Sequence, residues 1–180
     1  LAMNAKALEL KEQGVMVTSL AVGEPDFPTP KHICEAAKAA IDSNFCRYTA
    51  VPGIRELRKA VCGYYSNQYD LTIRPENVII SNGGKQALYN YIMCTGDEVI
   101  IPAPYWVSYP AIVELAGGVP VYVEAGPEDG FKVTPDKIRK AITPKTKLFI
   151  LNSPCNPTGA VYSASELEGI MDVVIGAGLN

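Results

Sequence analysis

Strand-like and helix-like segments alternate along this chain of 180 residues, and the alternation limits the folds that it can adopt. Between short apolar runs, apolar residues recur at helical spacing, as in residues 107–116 and 135–142. Strands that alternate with helices in this way predict an α/β fold with a largely parallel sheet. The short apolar runs are the predicted strands, at residues 78–80, 98–101, 119–123 and 148–151.

Four further helices are predicted, and local start signals mark two of them. Thr29 and Pro30 provide an N-cap and a first-turn proline before the helical spacing of residues 33–41, and Thr134 and Pro135 repeat this start before the helix at 135–142. Ser163 and Glu166 have the spacing of a capping box at the start of the last predicted helix. The other two predicted helices lie within residues 54–64 and 87–92.

Composition excludes several classes of protein. With 16 Lys and Arg against 19 Asp and Glu, the net charge is −3 and no basic run is present, so we expect no nucleic acid and no membrane surface among the partners. The apolar stretches are too short to span a membrane. Five scattered cysteines indicate reduced thiols and a cytoplasmic location. A single histidine, His32, argues against a Ser-His-Asp triad and against a histidine-rich metal site, and no metal is expected.

Two segments that follow predicted strands carry residues suited to ligand binding. Residues 81–86 (SNGGKQ) place a glycine pair at a helix start, where main-chain N–H groups can approach an anion. Residues 102–106 (PAPYW) end on the only tryptophan, Trp106, whose flat indole could stack on a planar ring. The alternatives are a plain strand-to-helix turn for the first segment and a core or interface tryptophan for the second.

Three other segments are unusual as purely structural sequence. Residues 152–159 (NSPCNPTG) form a proline-fixed turn in which the amide of Asn156 could donate to a phenolate-like oxygen. Residues 21–30 (AVGEPDFPTP) indicate a rigid extended segment, and Tyr48 lies in a loop that ends at Gly53. The alternatives are a proline-rich loop, a surface linker and a tyrosine that serves packing.

In this order and spacing, the motifs resemble those of the class I aminotransferases, the pyridoxal 5'-phosphate enzymes of fold type I, and are most similar to those of bacterial-type aspartate aminotransferases. The resemblance implies an α/β three-layer sandwich with a mainly parallel sheet. It assigns residues 1–30 to the small domain and substrate entry, and residues 31–180 to the N-terminal portion of the large cofactor-binding domain. The matching motifs are residues 22–27 (VGEPDF), Tyr48, residues 53–58 (GIRELR), 81–86, 104–109 (PYWVSY) and 152–159.

The resemblance also implies which residues bind pyridoxal phosphate. Gly83 and Gly84 would hold the phosphate through main-chain N–H groups, and Trp106 would stack on the pyridine ring. Asn156 would donate a hydrogen bond to the ring hydroxyl oxygen. Tyr48 would reach the phosphate in the neighbouring subunit, which implies a homodimer with sites shared across the interface.

Substrate roles follow from the same resemblance. Gly23 would lie beside the substrate carboxylate, and Trp106 and Asn156 would contact substrate as well as cofactor. Lys85 would face the distal carboxylate, where an ammonium favours dicarboxylic substrates. Pro104 and Pro157 would follow cis peptide bonds.

The implied activity is one of amino-acid biosynthesis. It transfers an amino group between aspartate or glutamate and a 2-oxo acid such as 2-oxoglutarate or oxaloacetate. No catalytic residue is expected within this chain, because the Schiff-base lysine of the family comes after the position of Asn180, so the chain alone would be inactive. The sequence stops where another strand is expected, which indicates a piece of a longer protein. The alternatives are a prephenate or broader-specificity aminotransferase, a lyase or synthase on the same fold, and the effector-binding domain of a regulator.

Overall fold

The computed structural model describes residues 2–18, 20, 23 and 25–180. Three members of the predicted extended segment, Ala21, Val22 and Glu24, lie outside the described residues. Two short 3-10 turns are found at Pro75–Asn77 and Pro127–Asp129. The helices and strands are α1 Ala2–Glu12, α2 Lys31–Asp42, α3 Arg55–Tyr69, α4 Gly83–Thr95, β1 Glu98–Ala103, α5 Ser108–Leu115, β2 Val119–Glu124, α6 Pro135–Ala141, β3 Thr146–Phe149 and α7 Ala164–Gly176.

The chain divides into two compact units, Leu1–Thr49 and Ala50–Asn180. The first unit contains α1 and α2, and the second contains every strand described above together with α3 to α7. The domain boundary implied by the resemblance, between residues 30 and 31, stays a prediction. None of the helices in the described residues is long and apolar enough to cross a membrane.

The second unit is built on a parallel sheet with the strand order β2-β1-β3. Glu98 of the central strand lies opposite Val119 on one side and Thr146 on the other. Parallel neighbours require crossover connections, and here α5 and α6 lie within them. The predicted α/β fold with a parallel sheet is confirmed.

Successive residues of β1 face two different hydrophobic cores because side chains alternate along a strand. Ile100 is fully buried among residues of α6 and α7, including Ile138 and Ile170. Val99 and Ile101 are fully buried on the other face, where α4 and α5 cover the sheet. Complete burial of each such side chain contributes about 1.5–3 kcal/mol. Helices on both faces of the sheet give the three layers that the resemblance implied.

The local start signals were correct for two helices and wrong for one. Ser163 Oγ accepts the N–H of Glu166 at 3.3 Å, and a Glu166 side-chain oxygen accepts the N–H of Ser163 at 2.7 Å, so the capping box before α7 is confirmed. Thr134 caps α6 in a similar way, with 3.4 Å between its Oγ1 and the N–H nitrogen of Lys137. Thr29 does not cap α2, which begins after Pro30 with no side-chain cap.

The predicted strand at residues 78–80 is wrong. This stretch has no ladder partner in the described residues, and the N–H of Ile80 donates to the carbonyl of Pro52 at 3.1 Å instead. Ile79 is largely exposed. The strand predicted at 148–151 is present but lies two residues earlier, at Thr146–Phe149.

Candidate functional site

The turn that leads into α4 depends on glycine. Gly83 has φ of +82°, in the left-handed region that side chains rarely adopt. A Cβ atom on Gly83 or Gly84 would meet no heavy atom within 4 Å. The turn therefore leaves open space beside the start of the helix, where a ligand can approach the main chain closely.

Two main-chain donors remain available at this helix start. The first four N–H groups of a helix have no partner within it. The N–H of Asn82 donates to the side chain of Gln86, and the N–H of Gly83 donates to the carbonyl of Ser81 at 2.9 Å. Among the described residues, no acceptor takes the N–H groups of Gly84 and Lys85. These two donors lie at the positive end of the helix dipole, an arrangement that favours an anion.

Trp106 lies beside this helix start. The ammonium nitrogen of Lys85 lies 5.1 Å from the centroid of the indole, a cation–π contact that joins the start of α4 to the segment after β1. The ring of Tyr109 packs edge-on against the indole, with 5.3 Å between centroids. Trp106 is only partly buried. It therefore presents aromatic surface at the carboxyl edge of the sheet.

The loop of residues 152–159 meets the same edge. Cys155 Sγ lies 3.5 Å from the carbonyl oxygen of Pro104, two residues before the tryptophan. A small cavity of about 20 Å³ lies between the two loops, and Tyr109, Asn152 and Cys155 are among the residues that line it. A space of this size accommodates roughly one water molecule. The predicted loops after β1 and β3 are thus neighbours in space.

Two tyrosines at this cavity are held protonated. Burial raises the pKa of the Tyr109 phenol, and the nearby Cys155 thiol adds to the effect. Burial also raises the pKa of Tyr162, whose hydroxyl oxygen accepts the N–H of Val133 at 2.9 Å. Both phenols therefore keep their protons to a higher pH than an exposed tyrosine does.

Asn156 is exposed at the tip of the loop after β3. Its N–H donates to Oδ1 of Asn152 at 2.9 Å. The peptide bonds before Pro104 and Pro157 are cis, as predicted, and so is the bond before Pro154, which was not predicted.

Gly23 and Tyr48 belong to the first unit, so their roles stay predictions. A Cβ atom on Gly23 would meet no heavy atom within 4 Å. Tyr48 is fully exposed and lies in a shallow depression beside Cys46 and Arg47. In the described part of the chain, no group of His, Cys, Asp and Glu side chains could hold a metal ion.

Sequence reasoning missed two residues that shape this site. Asn152 was quoted only as part of a motif, although an amide oxygen four residues before a loop-tip N–H is a signal for a side-chain cap of a turn. Tyr109 gave no comparable signal, because its edge-on contact with Trp106 depends on how α5 packs.

Free donors at a helix start, a partly buried indole and an amide-bearing loop lie together at one edge of the parallel sheet. The fold is that of the α/β proteins, in which ligands bind at the carboxyl ends of the strands. The model of one family, "Aminotransferase class I and II", matches residues 15–178. The chain belongs to that family.

Named relatives and solved structures agree with this assignment. The aspartate/prephenate aminotransferase of Cereibacter sphaeroides is 53% identical over 178 residues, which are 97% of this chain and 44% of the relative. That of Thermus thermophilus is 49% identical over 177 residues, 97% of this chain and 46% of the relative. The chain therefore spans about half the length of the curated relatives it matches.

Two solved structures share the fold and are similar in sequence. The aspartate aminotransferase of Thermus thermophilus with maleate superposes with a TM-score of 0.92 at 48% identity, over 99% of this chain and 47% of that chain. The aspartate aminotransferase of Thermotoga maritima gives a TM-score of 0.94 at 38% identity, over 99% of this chain and 48% of that chain.

Proposed function

We propose that the full-length protein is an aminotransferase that uses pyridoxal phosphate to move an amino group between aspartate or glutamate and a 2-oxo acid. The contact of 5.1 Å between the Lys85 ammonium and the Trp106 ring carries the proposal, because it brings an anion-binding helix start and an aromatic surface together. When bound, pyridoxal phosphate supplies an electron sink for the charge that proton loss leaves on the α-carbon of the amino acid.

The residues present fit this cofactor. The free N–H groups of Gly84 and Lys85 suit a phosphate, and the left-handed turn at Gly83 lets the phosphate approach them. The indole of Trp106 suits a pyridine ring. The side-chain amide of Asn156 can donate to a ring oxygen and favour its ionised form.

A dicarboxylic substrate is the second part of the proposal. Lys85 is exposed, and its ammonium can pair with a distal carboxylate while its main-chain N–H serves the phosphate. Gly23 would leave room for the α-carboxylate. The Thermus relative was solved with maleate, which is itself a dicarboxylate.

Prephenate is a second candidate substrate. Relatives at 53% and 49% identity are named aspartate/prephenate aminotransferases. Prephenate also carries a second carboxylate, so the ammonium of Lys85 suits it for the same reason. Parallel assays with a common amino donor, and with either 2-oxoglutarate or prephenate as the amino acceptor, show which acceptors the protein uses.

The proposal is tested with the full-length protein. Pyridoxal phosphate added to the apoprotein should give a visible absorbance band that reduction with borohydride abolishes, and aspartate with 2-oxoglutarate should give glutamate and oxaloacetate. A protein that binds pyridoxal phosphate but transfers no amino group from aspartate or glutamate to 2-oxoglutarate, oxaloacetate or prephenate would contradict the aminotransferase. A protein that gives no band would contradict the cofactor.

The substitution Lys85→Ala tests the substrate class. We expect KM for aspartate to rise by roughly tenfold or more, with kcat much less changed, because a hydrogen bond to a charged group contributes about 1.5–3 kcal/mol. KM for alanine, which lacks the distal carboxylate, should stay the same. Lys147→Ala, at another exposed lysine, is the control variant. An equal rise in KM for both amino acids would assign Lys85 to the cofactor alone.

We also propose a homodimer in which Tyr48 reaches the cofactor of the partner subunit, and a cytoplasmic location. The full exposure of the Tyr48 ring supports the first, and five free cysteines support a reducing compartment. Sedimentation equilibrium of the full-length protein tests the dimer.

A further inference from the structure

Two side chains at the start of the loop of residues 152–159 accept main-chain N–H groups. Oδ1 of Asn152 accepts the N–H of Asn156 at 2.9 Å. Oγ of Ser153 accepts the N–H of Tyr162 at 3.2 Å. The two bonds are alike in kind, but only the first ends on the residue that we assign to the cofactor.

Asn152 is well placed to act as the fixed end of its bond. It lies three residues after the end of β3 and two after Ile150, whose N–H still donates to the carbonyl of Ile100 at 2.9 Å. Asn152 is partly buried and lines the small cavity beside Tyr109, whereas Asn156 is exposed. The bond therefore ties an exposed loop tip to a residue that the sheet holds.

The far side of the loop is closed independently. The N–H of Cys155 donates to the carbonyl of Ala160 at 2.9 Å, and the N–H of Gly159 donates to the carbonyl of Cys155 at 2.7 Å. Neither bond involves Asn156. Loss of the Asn152 side chain would therefore leave the turn closed and release only the main chain at the loop tip.

We propose that Asn152 is a positioning residue, whose side-chain oxygen holds the main chain of Asn156 so that the Asn156 amide is already in place to bind the ring oxygen of the cofactor. A group fixed before binding loses less conformational freedom when the ligand arrives, so fixing Asn156 strengthens binding without any new contact. This inference rests on the proposed function.

The test measures cofactor binding to the full-length apoprotein. Asn152→Ala should raise the dissociation constant for pyridoxal phosphate by roughly three- to tenfold, the range expected for one hydrogen bond. The pH midpoint of the bound cofactor's absorbance band should shift in the same direction as in Asn156→Ala, and by less. In the Asn156→Ala background, Asn152→Ala should have no further effect on either quantity.

Two more variants separate positioning from loop stability. Ser153→Ala removes the parallel bond to Tyr162 and should leave both quantities unchanged. Asn152→Asp keeps an acceptor oxygen and should retain cofactor affinity within roughly threefold, whereas Asn152→Gln, which displaces the oxygen by one methylene, should not. Thermal unfolding of each apoprotein shows that it is folded.

Three results would overturn the inference: equal effects of Ser153→Ala and Asn152→Ala, an unchanged absorbance midpoint in Asn152→Ala, or effects that add in the double variant. Each of them presupposes that the unsubstituted protein binds pyridoxal phosphate. Failure of that binding would instead refute the proposed function.

Discussion

Gly53 brings the chain into α3 through a backbone conformation that depends on its having no side chain. Its φ is +93°, in the left-handed region, and a Cβ atom built on it would lie 2.5 Å from Cγ1 of Ile80. The same turn carries the hydrogen bond from Ile80 to Pro52. Gly53 thus permits both the turn and the close approach of residues 78–80.

We expect Gly53→Ala to lower the free energy of unfolding by roughly 2–5 kcal/mol, because left-handed strain costs about 1–2 kcal/mol and overpacking about 1–3 kcal/mol. Gly63→Ala is the matched control. Gly63 lies inside α3 with no heavy atom within 4 Å of the added Cβ, so its replacement should raise stability by about 0.5–1 kcal/mol. Urea unfolding followed by circular dichroism measures both. Similar effects of the two variants would show that the turn at Gly53 tolerates a side chain.

Single residues were predictable where their role follows from local chemistry. The glycine pair at 83–84 and the indole of Trp106 were identified from their positions after predicted strands, and the contact between Lys85 and Trp106 brings those two segments together. The sequence could not show which main-chain N–H groups have acceptors. In the structure, Gly84 and Lys85, rather than Gly83, have free N–H donors, because the N–H of Gly83 donates to a nearby carbonyl.

At the scale of elements, the start of α7 combines a helix cap with an ion pair. Glu166 accepts the N–H of Ser163 and also pairs with Lys132, whose Nζ lies 2.6 Å from its Oε1. The hydrogen bond from Lys132, followed by those from Ser163, lowers the pKa of Glu166 from its ordinary 4.5 to about 2. The pair ties α7 to the segment before α6.

Because the pKa of Glu166 is lowered, the stabilisation that its carboxylate provides depends on pH. Because the folded-state pKa lies below the unfolded one, the stabilisation is fully present above pH 4.5 and is lost as pH falls towards 2. Glu166→Gln keeps a capping acceptor but loses the charge, so we expect a lower thermal midpoint at pH 7 and a difference from the unsubstituted protein that shrinks as pH falls.

Thermal scans of the full-length protein between neutral and acid pH check this prediction. Glu168→Gln is the control, since it removes an exposed carboxylate from α7 without breaking any ion pair or cap bond in the described residues. It should leave the midpoint nearly unchanged at every pH. A constant difference between the Glu166→Gln variant and the unsubstituted protein would show that the charge on Glu166 adds no stability.

Elements were predictable to the degree that their signals are local. The capping box at Ser163 and the N-cap at Thr134 need only three neighbouring residues, and both were found. The strand predicted at 78–80 failed because a strand exists only through a partner, which a local pattern does not specify. The N-cap predicted at Thr29 failed because Pro30 itself takes the cap position of α2.

At the scale of the second unit, β1 contributes side chains to two hydrophobic cores. A short stretch of sequence does not show that the helices covering these cores share one strand. Ile100 belongs to the core under α6 and α7, while Val99 and Ile101 belong to the core under α4 and α5. The order β2-β1-β3 brings together residues almost fifty positions apart, such as Glu98 and Thr146. Periodicity predicted that strands exist, and the resemblance supplied the layers.

Because the two cores share β1, we expect a substitution that destabilises one core to destabilise the other as well. Ile138 is fully buried against α7, so Ile138→Ala should cost about 2–5 kcal/mol of the free energy of unfolding. Because β1 is shared, hydrogen exchange of the full-length protein should become faster in peptides from α4 as well as α7. Ile175→Ala, at an exposed residue of α7, should change stability by less than about 0.5 kcal/mol and leave both peptides unaffected. Faster exchange in α7 alone would mean that the two faces of the sheet unfold separately, and that the site on the α4 face is insulated from the opposite core.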